Sequence, residues 1–309
     1  MNTNQAQNAH RWHILGAGAM GCLWAGRMAL AGQDVQLLLH NRQALAAYKR
    51  LQIETSGQIE TVQPIACLVT EIDAPIHNLL VCTKAGAIFD ALEDISAQLD
   101  RPANIVLMQN GMGFHEQIAS RFGEAALFCA LSTEGAWTRE RFHVVHAGRG
   151  STQIGAWRTE QAELEPTIIS AFRAGPLSIS RCADLQGALW QKLSINCAIN
   201  PLTALHGINN GDLLTHPSAS IALREVIMEI EQVLTATGRS GLATDVDEMI
   251  RQVIVATANN QSSMRQDLEA GRMTEIEFMT GFLCQQAESA GIDVPVNRGL
   301  YERVKEMTL

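Results

Sequence analysis

A glycine-rich turn between an apolar strand and an amphipathic helix constrains the fold of this 309-residue chain more than any other feature. In RWHILGAGAMGCLWAGRMALAGQDVQLLL, apolar strands are predicted at 13–15 and 34–39, and Gly16, Gly18 and Gly21 open the helix between them. In such a βαβ unit the first glycine permits a tight turn, the second lets the backbone approach a pyrophosphate, and the third lets helix and strand pack closely. The segment predicts a dinucleotide site with the pyrophosphate at the helix N-terminus. A glycine-rich turn that binds no ligand is the alternative.

The end of the second strand indicates which dinucleotide binds. A carboxylate at this position would bind the ribose 2′-hydroxyl of NAD, whereas basic groups suit the 2′-phosphate of NADP. The strand ends in His40-Asn41-Arg42, without a carboxylate. This favours NADP, and the alternative for Arg42 is a solvated surface residue.

Strands and helices continue to alternate in the first half. Buried strands are predicted to end at Lys84 and at Asn110, with helices at 87–99 and after Gly113. ALFCALST is predicted as a further strand and FHVVHAGRGSTQIGAW as a β-hairpin. Ligands of open α/β sheets bind beyond the carboxyl ends of the strands. Lys84 and Asn110 therefore indicate a cation and an amide at the reactive end of the cofactor, although either could be an ordinary residue at a strand end.

After about Arg181 helical periodicity replaces the strand pattern, with helices predicted at 185–205, 218–237, 244–260, 274–290 and 296–307. We therefore expect an α/β Rossmann-type N-terminal domain, residues 1–182, followed by an all-α C-terminal domain, residues 183–309. Ligand sites occur preferentially at domain interfaces, so we expect the active site in the cleft between the two domains.

A polar row interrupts the first helix of the second half, LWQKLSINCAINPLTAL. Lys192, Asn196 and Asn200 recur at intervals of four and therefore share one face of a helix that is otherwise apolar and predicted to be buried nearly all round. This face predicts a site in which an ammonium group and two amides meet a ligand. The alternatives are a lysine that extends to solvent or forms a structural ion pair, and amides that cap or bridge helices.

Further polar residues stand among apolar neighbours later in this half: Asn210, Ser263, Asp267 and Glu275. Glu275 follows Thr274 at the start of the helix predicted for 274–290. Its alternative role is therefore a carboxylate that caps the helix or interacts with its dipole.

Charge and cysteine content exclude several classes of function. Asp and Glu number 32 against 23 Lys and Arg, a net charge of −9, which argues against binding to nucleic acid or to an anionic membrane. The seven cysteines are scattered without a CxxC pair, which is typical of core residues in a reducing compartment and predicts no metal site and no disulfide. The first residues are polar, and no apolar run approaches the roughly 20 residues of a membrane span. A cytoplasmic protein is expected.

Seven motifs give the chain a family resemblance: ILGAGAMG, VCTKA, QNGMG, LWQKLSINCAINPLTAL, NNGDL, SSM and TEIEFMTGF. In this order, from about Trp12 to the end, the chain resembles the ketopantoate reductase family. That family reduces 2-dehydropantoate to (R)-pantoate with NADPH in pantothenate and coenzyme A biosynthesis, and its fold is a Rossmann domain followed by a helical domain. The resemblance implies this activity, a small 2-keto acid substrate, NADPH/NADP⁺ as cofactor, and a monomer or homodimer.

The resemblance also implies a role for each matching residue. Lys192 matches the proton donor of the family. The positions that match substrate-binding residues are Asn110, Asn196, Asn200, Asn210, Ser263 and Glu275. The cofactor positions are Gly16, Ala17, Gly18, Ala19, Met20, Gly21, His40, Arg42, Lys84, Asn110 and Ala136. Many members carry Arg where this chain has His40, so Arg42 is expected to take over the phosphate contact.

Two other functions fit parts of the same pattern. One is a related two-domain hydroxyacid or polyol-phosphate dehydrogenase, because such enzymes also use a lysine and amides. The other is a non-catalytic NADP-sensing protein that has kept the Rossmann fold. The presence of Lys192 together with Glu275 argues against the sensor.

Overall fold

A computed structural model describes residues 10–173 and 177–307. The polar first residues, on which the expectation of a cytoplasmic protein partly depends, lie outside the described residues. The chain forms two compact units, one of residues 1–109 and 115–185 and the other of residues 110–114 and 186–309. A short segment from the first half of the sequence therefore belongs to the second unit.

The first unit contains all twelve strands of the described chain. They are β1 (Trp12–Leu15), β2 (Val35–Leu39), β3 (Leu51–Thr55), β4 (Gln58–Val62), β5 (Ile65–Leu68), β6 (Ile76–Val81), β7 (Leu99–Leu107), β8 (Ala126–Ser132), β9 (Gly135–Glu140), β10 (His143–Gly148), β11 (Ser151–Ala156) and β12 (Ser178–Arg181).

Eight of these strands form the central sheet of the unit. Its order is β12-β11-β8-β7-β6-β1-β2-β5, and every neighbouring pair is parallel except β8 with β11. β1 and β2 are buried along their whole length, as expected for strands covered on both faces. The helices of this unit are α1 (Ala19–Leu30), α2 (Arg42–Ala47), α3 (Ile88–Glu93), α4 (His115–Arg121) and α5 (Glu165–Phe172). The predicted α/β Rossmann-type fold is confirmed.

A second, four-stranded sheet, in the order β4-β3-β10-β9, packs against α1. The packing is close, because a Cβ on Gly26 would lie 2.5 Å from the Ile53 side chain. The buried Arg27 donates hydrogen bonds to Thr55 and Glu60 on this sheet. Residues 51–62, for which no element is predicted above, form the hairpin β3–β4.

The predicted hairpin at FHVVHAGRGSTQIGAW is wrong. Both strands exist, as β10 and β11, but β10 pairs with β9 and β3 in the four-stranded sheet, whereas β11 pairs with β8 and β12 in the eight-stranded sheet. The chain thus passes from one sheet to the other between Gly148 and Ser151, and it makes the reverse passage between Ser132 and Gly135.

Hydrogen bonds connect the passage at Ser132–Gly135 with β10 and with the passage at Gly148–Ser151. The buried Glu134 carboxylate accepts hydrogen bonds from His146 Nε2 at 2.6 Å and from the Gly150 N–H at 3.0 Å. A Cβ on Gly150 would lie 2.4 Å from the Thr133 backbone, so the passages can approach only with glycine there. Local alternation cannot reveal this arrangement, because it marks the strands but does not show that β10 pairs with the preceding β9 and the distant β3, and β11 with β8 and β12.

The strands before Lys84 and Asn110 are shorter than predicted. β6 ends at Val81 and β7 at Leu107, so both residues lie three positions past a strand end, on the expected side of the sheet. The helix predicted for 87–99 is also too long. α3 covers Ile88–Glu93, and β7 already begins at Leu99.

In the second unit, all regular secondary structure of the described residues is helical. The helices are α6 (Leu185–His206), which begins at the end of the first unit, α7 (Pro217–Ala236), α8 (Ser240–Ala256), α9 (Ser263–Glu269), α10 (Thr280–Ser289) and α11 (Pro295–Glu306). The predicted all-α C-terminal region is confirmed. Among the described residues no helix is long and apolar enough to cross a membrane.

A buried histidine in β1 should make the stability of the fold depend on pH. Burial, assisted by Arg11, lowers the pKa of His13 from 6.5 to about 4. The neutral ring is therefore favoured in the folded state, and stability present above pH 6.5 is lost as the pH falls towards 4. One such histidine lowers the free energy of unfolding by about 2 kcal/mol between pH 7 and pH 5.

Urea unfolding of the His13→Val variant at the two pH values tests this prediction. Its loss of stability between pH 7 and pH 5 should be smaller than that of the unsubstituted chain by about 2 kcal/mol. The exposed His10 provides the matched control, because His10→Val should leave the pH dependence unchanged. Equal losses in the His13→Val and unsubstituted proteins would contradict the prediction.

Candidate active site

The three glycines of the first turn face three different surroundings. Gly16 has φ +105°, and a Cβ on it would lie 2.6 Å from the Thr83 backbone nitrogen. A Cβ on Gly21 would lie 1.8 Å from the Gly16 carbonyl oxygen. A Cβ on Gly18 would meet nothing within 4 Å. Gly16 and Gly21 are therefore required by the turn and by helix packing, whereas Gly18 leaves its backbone open to an approaching group.

The N-terminus of α1 suits an anionic ligand. Its N-cap is Gly18, no side chain caps it, and its first turn carries no acidic residue. The first N–H groups of a helix have no partner within the helix, and together with the dipole they favour negative charge. The turn from Gly16 through Ala17, Ala19 and Met20 to Gly21 could therefore hold a pyrophosphate.

The predicted 2′-phosphate residues lie at the surface beyond β2. Asn41 caps α2 by accepting from the Ala44 N–H at 2.7 Å, and its amide lies 2.8 Å from His40 Nε2. Arg42 is 85% exposed and pairs with Glu71 through Nη2 and Oε1 at 3.1 Å. Arg42 is therefore available to solvent, but it is not the purely solvated residue considered above.

The other two predicted cofactor residues of the first unit lie on separate elements. Lys84 precedes the short 3₁₀ turn Ala85–Ala87 without capping it. Ala136 is a partly buried residue of β9, opposite His146 of β10.

In the second unit, α6 carries the Lys192, Asn196 and Asn200 face. Every residue from 193 to 204 is buried except Ile195 and Asn196, which are partly buried. The prediction of a helix buried nearly all round is confirmed. Among the described residues the Asn196 side chain makes no hydrogen bond, and Asn200 Nδ2 donates only a long one, 3.7 Å, to Met279 Sδ. Both amides therefore keep hydrogen-bonding capacity for a ligand.

The environment of Lys192 makes its ammonium group a ready proton donor. Burial lowers its pKa from 10.5 to about 8, and the negative charge of Glu275 opposes this shift. Because this pKa lies above 7, most of the side chains still carry the proton at pH 7. The proton is nevertheless given up far more easily than by a solvated lysine.

Asn110 completes this group from the first half of the sequence. Its Nδ2 lies 3.4 Å from Glu275 Oε2. The neighbouring Met112 N–H donates to the Phe278 carbonyl at 2.7 Å. A Cβ on Gly111 would lie 2.3 Å from that carbonyl oxygen, so glycine is required for this approach. The structure therefore brings Asn110, Lys192 and Glu275 together within one unit.

The helix predicted for 274–290 is wrong at its start. α10 begins at Thr280, and Glu275 precedes a short 3₁₀ turn, Ile276–Phe278, which its side chain does not cap. Because the Met112 N–H occupies the Phe278 carbonyl, residues 275–279 form a turn and not the first turn of the helix. Dipole effects fall off within the first turn of a helix. The capping role considered for Glu275 therefore has no support in the structure.

Asn210 and Ser263 lie on other parts of the second unit. Asn210 is buried, its Nδ2 donates to Thr257 Oγ1 at 2.9 Å, and its Oδ1 has no partner among the described residues. Ser263 is exposed at the start of α9, whereas the adjacent Ser262 is buried. No hydrogen bond of the described chain joins either residue to Lys192 or Glu275.

Sequence reasoning missed the residues that hold these elements in place. Ser262 Oγ accepts from Thr203 Oγ1 at 2.7 Å and from the Arg265 N–H, which fixes the start of α9 on α6. Thr203 follows Asn200 by one turn of the same helix, a spacing that could have indicated it. Among the described residues no group of three or more His, Cys, Asp or Glu could hold a metal ion.

Family models match both halves of the chain. The model described as ketopantoate reductase PanE/ApbA matches residues 12–159, and the one described as ketopantoate reductase PanE/ApbA C terminal matches residues 184–308. The chain belongs to the ketopantoate reductase family. A 2-dehydropantoate 2-reductase from Vibrio cholerae is 36% identical over 95% of this chain and 96% of its own length. One from Archaeoglobus fulgidus is 33% identical over 96% and 97%.

Solved structures agree with the fold. A PanE/ApbA family ketopantoate reductase from Ralstonia eutropha is 28% identical with a TM-score of 0.83, covering 96% of this chain and 98% of that chain. A ternary structure of D-mandelate dehydrogenase with NADH and anilino(oxo)acetate has a TM-score of 0.87 at 20% identity, covering 96% and 98%. At that identity the likeness shows the fold alone.

Family membership confirms the predicted class of enzyme, an NADP-dependent oxidoreductase, and it confirms NADPH as the cofactor of the family. A ketopantoate reductase from Staphylococcus aureus is described as dimeric. For this chain a monomer or homodimer stays a prediction, as do the roles of the individual site residues.

Because the space at Gly18 is open, a substitution there should weaken NADPH binding without destabilising the fold. In Gly18→Thr the new Cβ meets nothing within 4 Å, and Thr is an acceptable N-cap, so the melting temperature should barely change. NADPH affinity, measured by fluorescence titration, should fall roughly tenfold or more because the backbone approach is blocked. Gly21→Ala is the contrast, since its clash with Gly16 should destabilise the fold by about 2 kcal/mol or more. Unchanged affinity in Gly18→Thr would exclude the turn as a pyrophosphate site.

The environment of Lys192 predicts both a rate and a pH profile. Lys192→Ala should lose about 10²- to 10⁴-fold in kcat, the usual effect of a positioned acid–base group. In the unsubstituted enzyme kcat/KM for reduction should fall as the pH rises through about 8, because only the protonated lysine donates. NADPH affinity serves as the control and should be nearly unchanged in the variant. Near-native kcat without the lysine would assign proton transfer to another group.

Proposed function

We propose that this protein reduces 2-dehydropantoate to (R)-pantoate with NADPH, as a step of pantothenate and coenzyme A biosynthesis. The observation that carries the proposal is the Lys192 ammonium, with a pKa lowered to about 8 by burial, near Glu275 and Asn110. Family membership supports the same reaction. The expected position of the active site between the two domains stays a prediction.

The reaction adds a hydride to the C2 carbonyl carbon and a proton to its oxygen. Bound NADPH supplies the hydride, and the turn from Gly16 to Gly21 would hold its pyrophosphate. As the carbonyl bond opens, negative charge builds on the oxygen. The Lys192 ammonium stabilises that charge and then transfers its proton to the oxygen, which leaves neutral lysine and the hydroxyl of pantoate.

Amides suit the remainder of this site. Asn196 and Asn200 donate hydrogen bonds that orient the substrate without adding a negative charge that would repel its carboxylate. Asn110 lies beside Glu275 on a different segment of the chain, and it is proposed to contact the substrate from that side. Asn210 and Ser263 are proposed as further substrate contacts on the strength of the family resemblance alone.

Oxidation of NADPH, followed through the absorbance of the reduced nicotinamide, tests the proposal. The panel contains 2-dehydropantoate, an aromatic 2-keto acid and dihydroxyacetone phosphate, each with NADPH and with NADH. We expect turnover to be fastest with 2-dehydropantoate and NADPH. Faster turnover of either other carbonyl compound would assign the chain to the related dehydrogenases, and NADPH binding without turnover of any of them would indicate a sensor.

Glu275 is proposed to select the substrate and to support Lys192. The primary hydroxyl of 2-dehydropantoate lies at the end opposite its carboxylate, and an ionised Glu275 could accept a hydrogen bond from it. Glu275→Ala should therefore lose more kcat/KM towards 2-dehydropantoate than towards an analogue without the hydroxyl. The alkaline limb of the pH profile should also move to lower pH, because the carboxylate raises the pKa of Lys192.

Glu277 provides a matched control two residues away. It is exposed and pairs with Tyr301 and Lys305, so Glu277→Ala should change neither substrate preference nor pH profile. Equal losses towards the two substrates in Glu275→Ala, with the pH profile unmoved, would show that Glu275 has only a structural role.

A further inference from the structure

The corner of the central sheet where β2 and β5 end combines charges from two distant parts of the sequence. The strands are parallel and paired in register, with Leu39 opposite Leu68. The chain leaves β2 through His40, Asn41 and Arg42, and it leaves β5 through a 3₁₀ turn, Val69–Glu71. Glu71 therefore lies beside the residues that are expected to meet the cofactor's 2′-phosphate.

The charges at this corner do not form a purely basic pocket. Arg42 Nη2 lies 3.1 Å from Glu71 Oε1, and both side chains are exposed. The Glu71 carboxylate thus lies directly against the Arg42 guanidinium.

We propose that Glu71 is a specificity-determining residue for the cofactor, which weakens the preference for NADPH over NADH by holding the Arg42 guanidinium and by repelling a 2′-phosphate. The inference rests on the proposed function, because it assumes that the dinucleotide ribose lies beyond β2. It assigns the discrimination between NADPH and NADH to a residue in the turn that follows the neighbouring strand, β5.

The chemistry of the two ribose groups explains the direction of the effect. A 2′-phosphate must compete with Glu71 for Arg42 and is repelled by the Glu71 carboxylate. A 2′-hydroxyl neither competes for Arg42 nor is repelled by a carboxylate. It can donate a hydrogen bond to a carboxylate, as it does to the acidic residue of NAD sites. Because the pair is exposed and screened by salt, the effect should be moderate, about three- to tenfold at low ionic strength.

Binding of two cofactor fragments measures the effect without catalysis. Adenosine 2′,5′-bisphosphate and AMP are titrated by calorimetry into the full chain and into Glu71→Gln. We expect the variant to bind the bisphosphate about three- to tenfold more tightly at low salt, with a smaller gain at high salt, and to bind AMP equally or more weakly. The KM values for NADPH and NADH should change in the same directions.

Two further variants separate the sources of the effect. Glu124→Gln is the matched control, because Glu124 forms an exposed pair with Arg101 at 3.1 Å on another part of the surface. Arg42→Ala should weaken bisphosphate binding and raise the KM for NADPH, with NADH use nearly unchanged. Adding Glu71→Gln to Arg42→Ala should give a smaller gain than in the native background, since part of the effect acts through Arg42.

The outcomes distinguish this inference from the proposed function. If the native chain binds both fragments and Glu71→Gln behaves as Glu124→Gln does, the role of Glu71 is overturned and the reductase proposal stands. If the native chain binds neither fragment and does not oxidise NADPH, both proposals fail.

Discussion

The candidate catalytic group depends on one backbone contact, the docking of residues 110–114 onto the turn before α10. The Met112 N–H bonds the Phe278 carbonyl, and Gly111 permits the approach because any Cβ would collide with that carbonyl. This contact places Asn110 beside Glu275 and keeps residues 275–279 out of a regular helix. A segment of the nucleotide-binding half of the sequence thereby becomes part of the helical unit that carries Lys192.

Two opposing effects set the protonation of Lys192. Burial alone would lower the pKa of the ammonium further, and the carboxylate of Glu275 limits the shift, leaving the pKa near 8. A general acid works best with a pKa close to the working pH. The net charge of −9 has little bearing on this balance, because solvent and salt screen distant charges whereas the nearby carboxylate acts at short range.

Much of the fold could be predicted from the sequence because its signals are local. The strand, glycine turn and helix at 12–30 follow from sterics within one short segment, and α6 follows from apolar periodicity interrupted at Lys192, Asn196 and Asn200. The false hairpin at 143–156 and the false helix start at 274 have a common cause. In each case partners outside the predicted element take the hydrogen bonds that the pattern would assign within it. These partners are β9 and β3 for β10, β8 for β11, and Met112 for the turn before α10.

The charge around a strand end likewise depends on residues that are distant in sequence. Arg42 is predicted to contact the 2′-phosphate from its position after β2, where the residue type usually indicates the dinucleotide preference. Glu71 follows it by 29 residues and comes beside it only because β5 pairs with β2 in that register. A basic residue at a strand end therefore does not by itself define a 2′-phosphate site. The electrostatic potential at the corner is set by both strand ends, so cofactor preference depends on sheet order as well as on the residues of the β2 end.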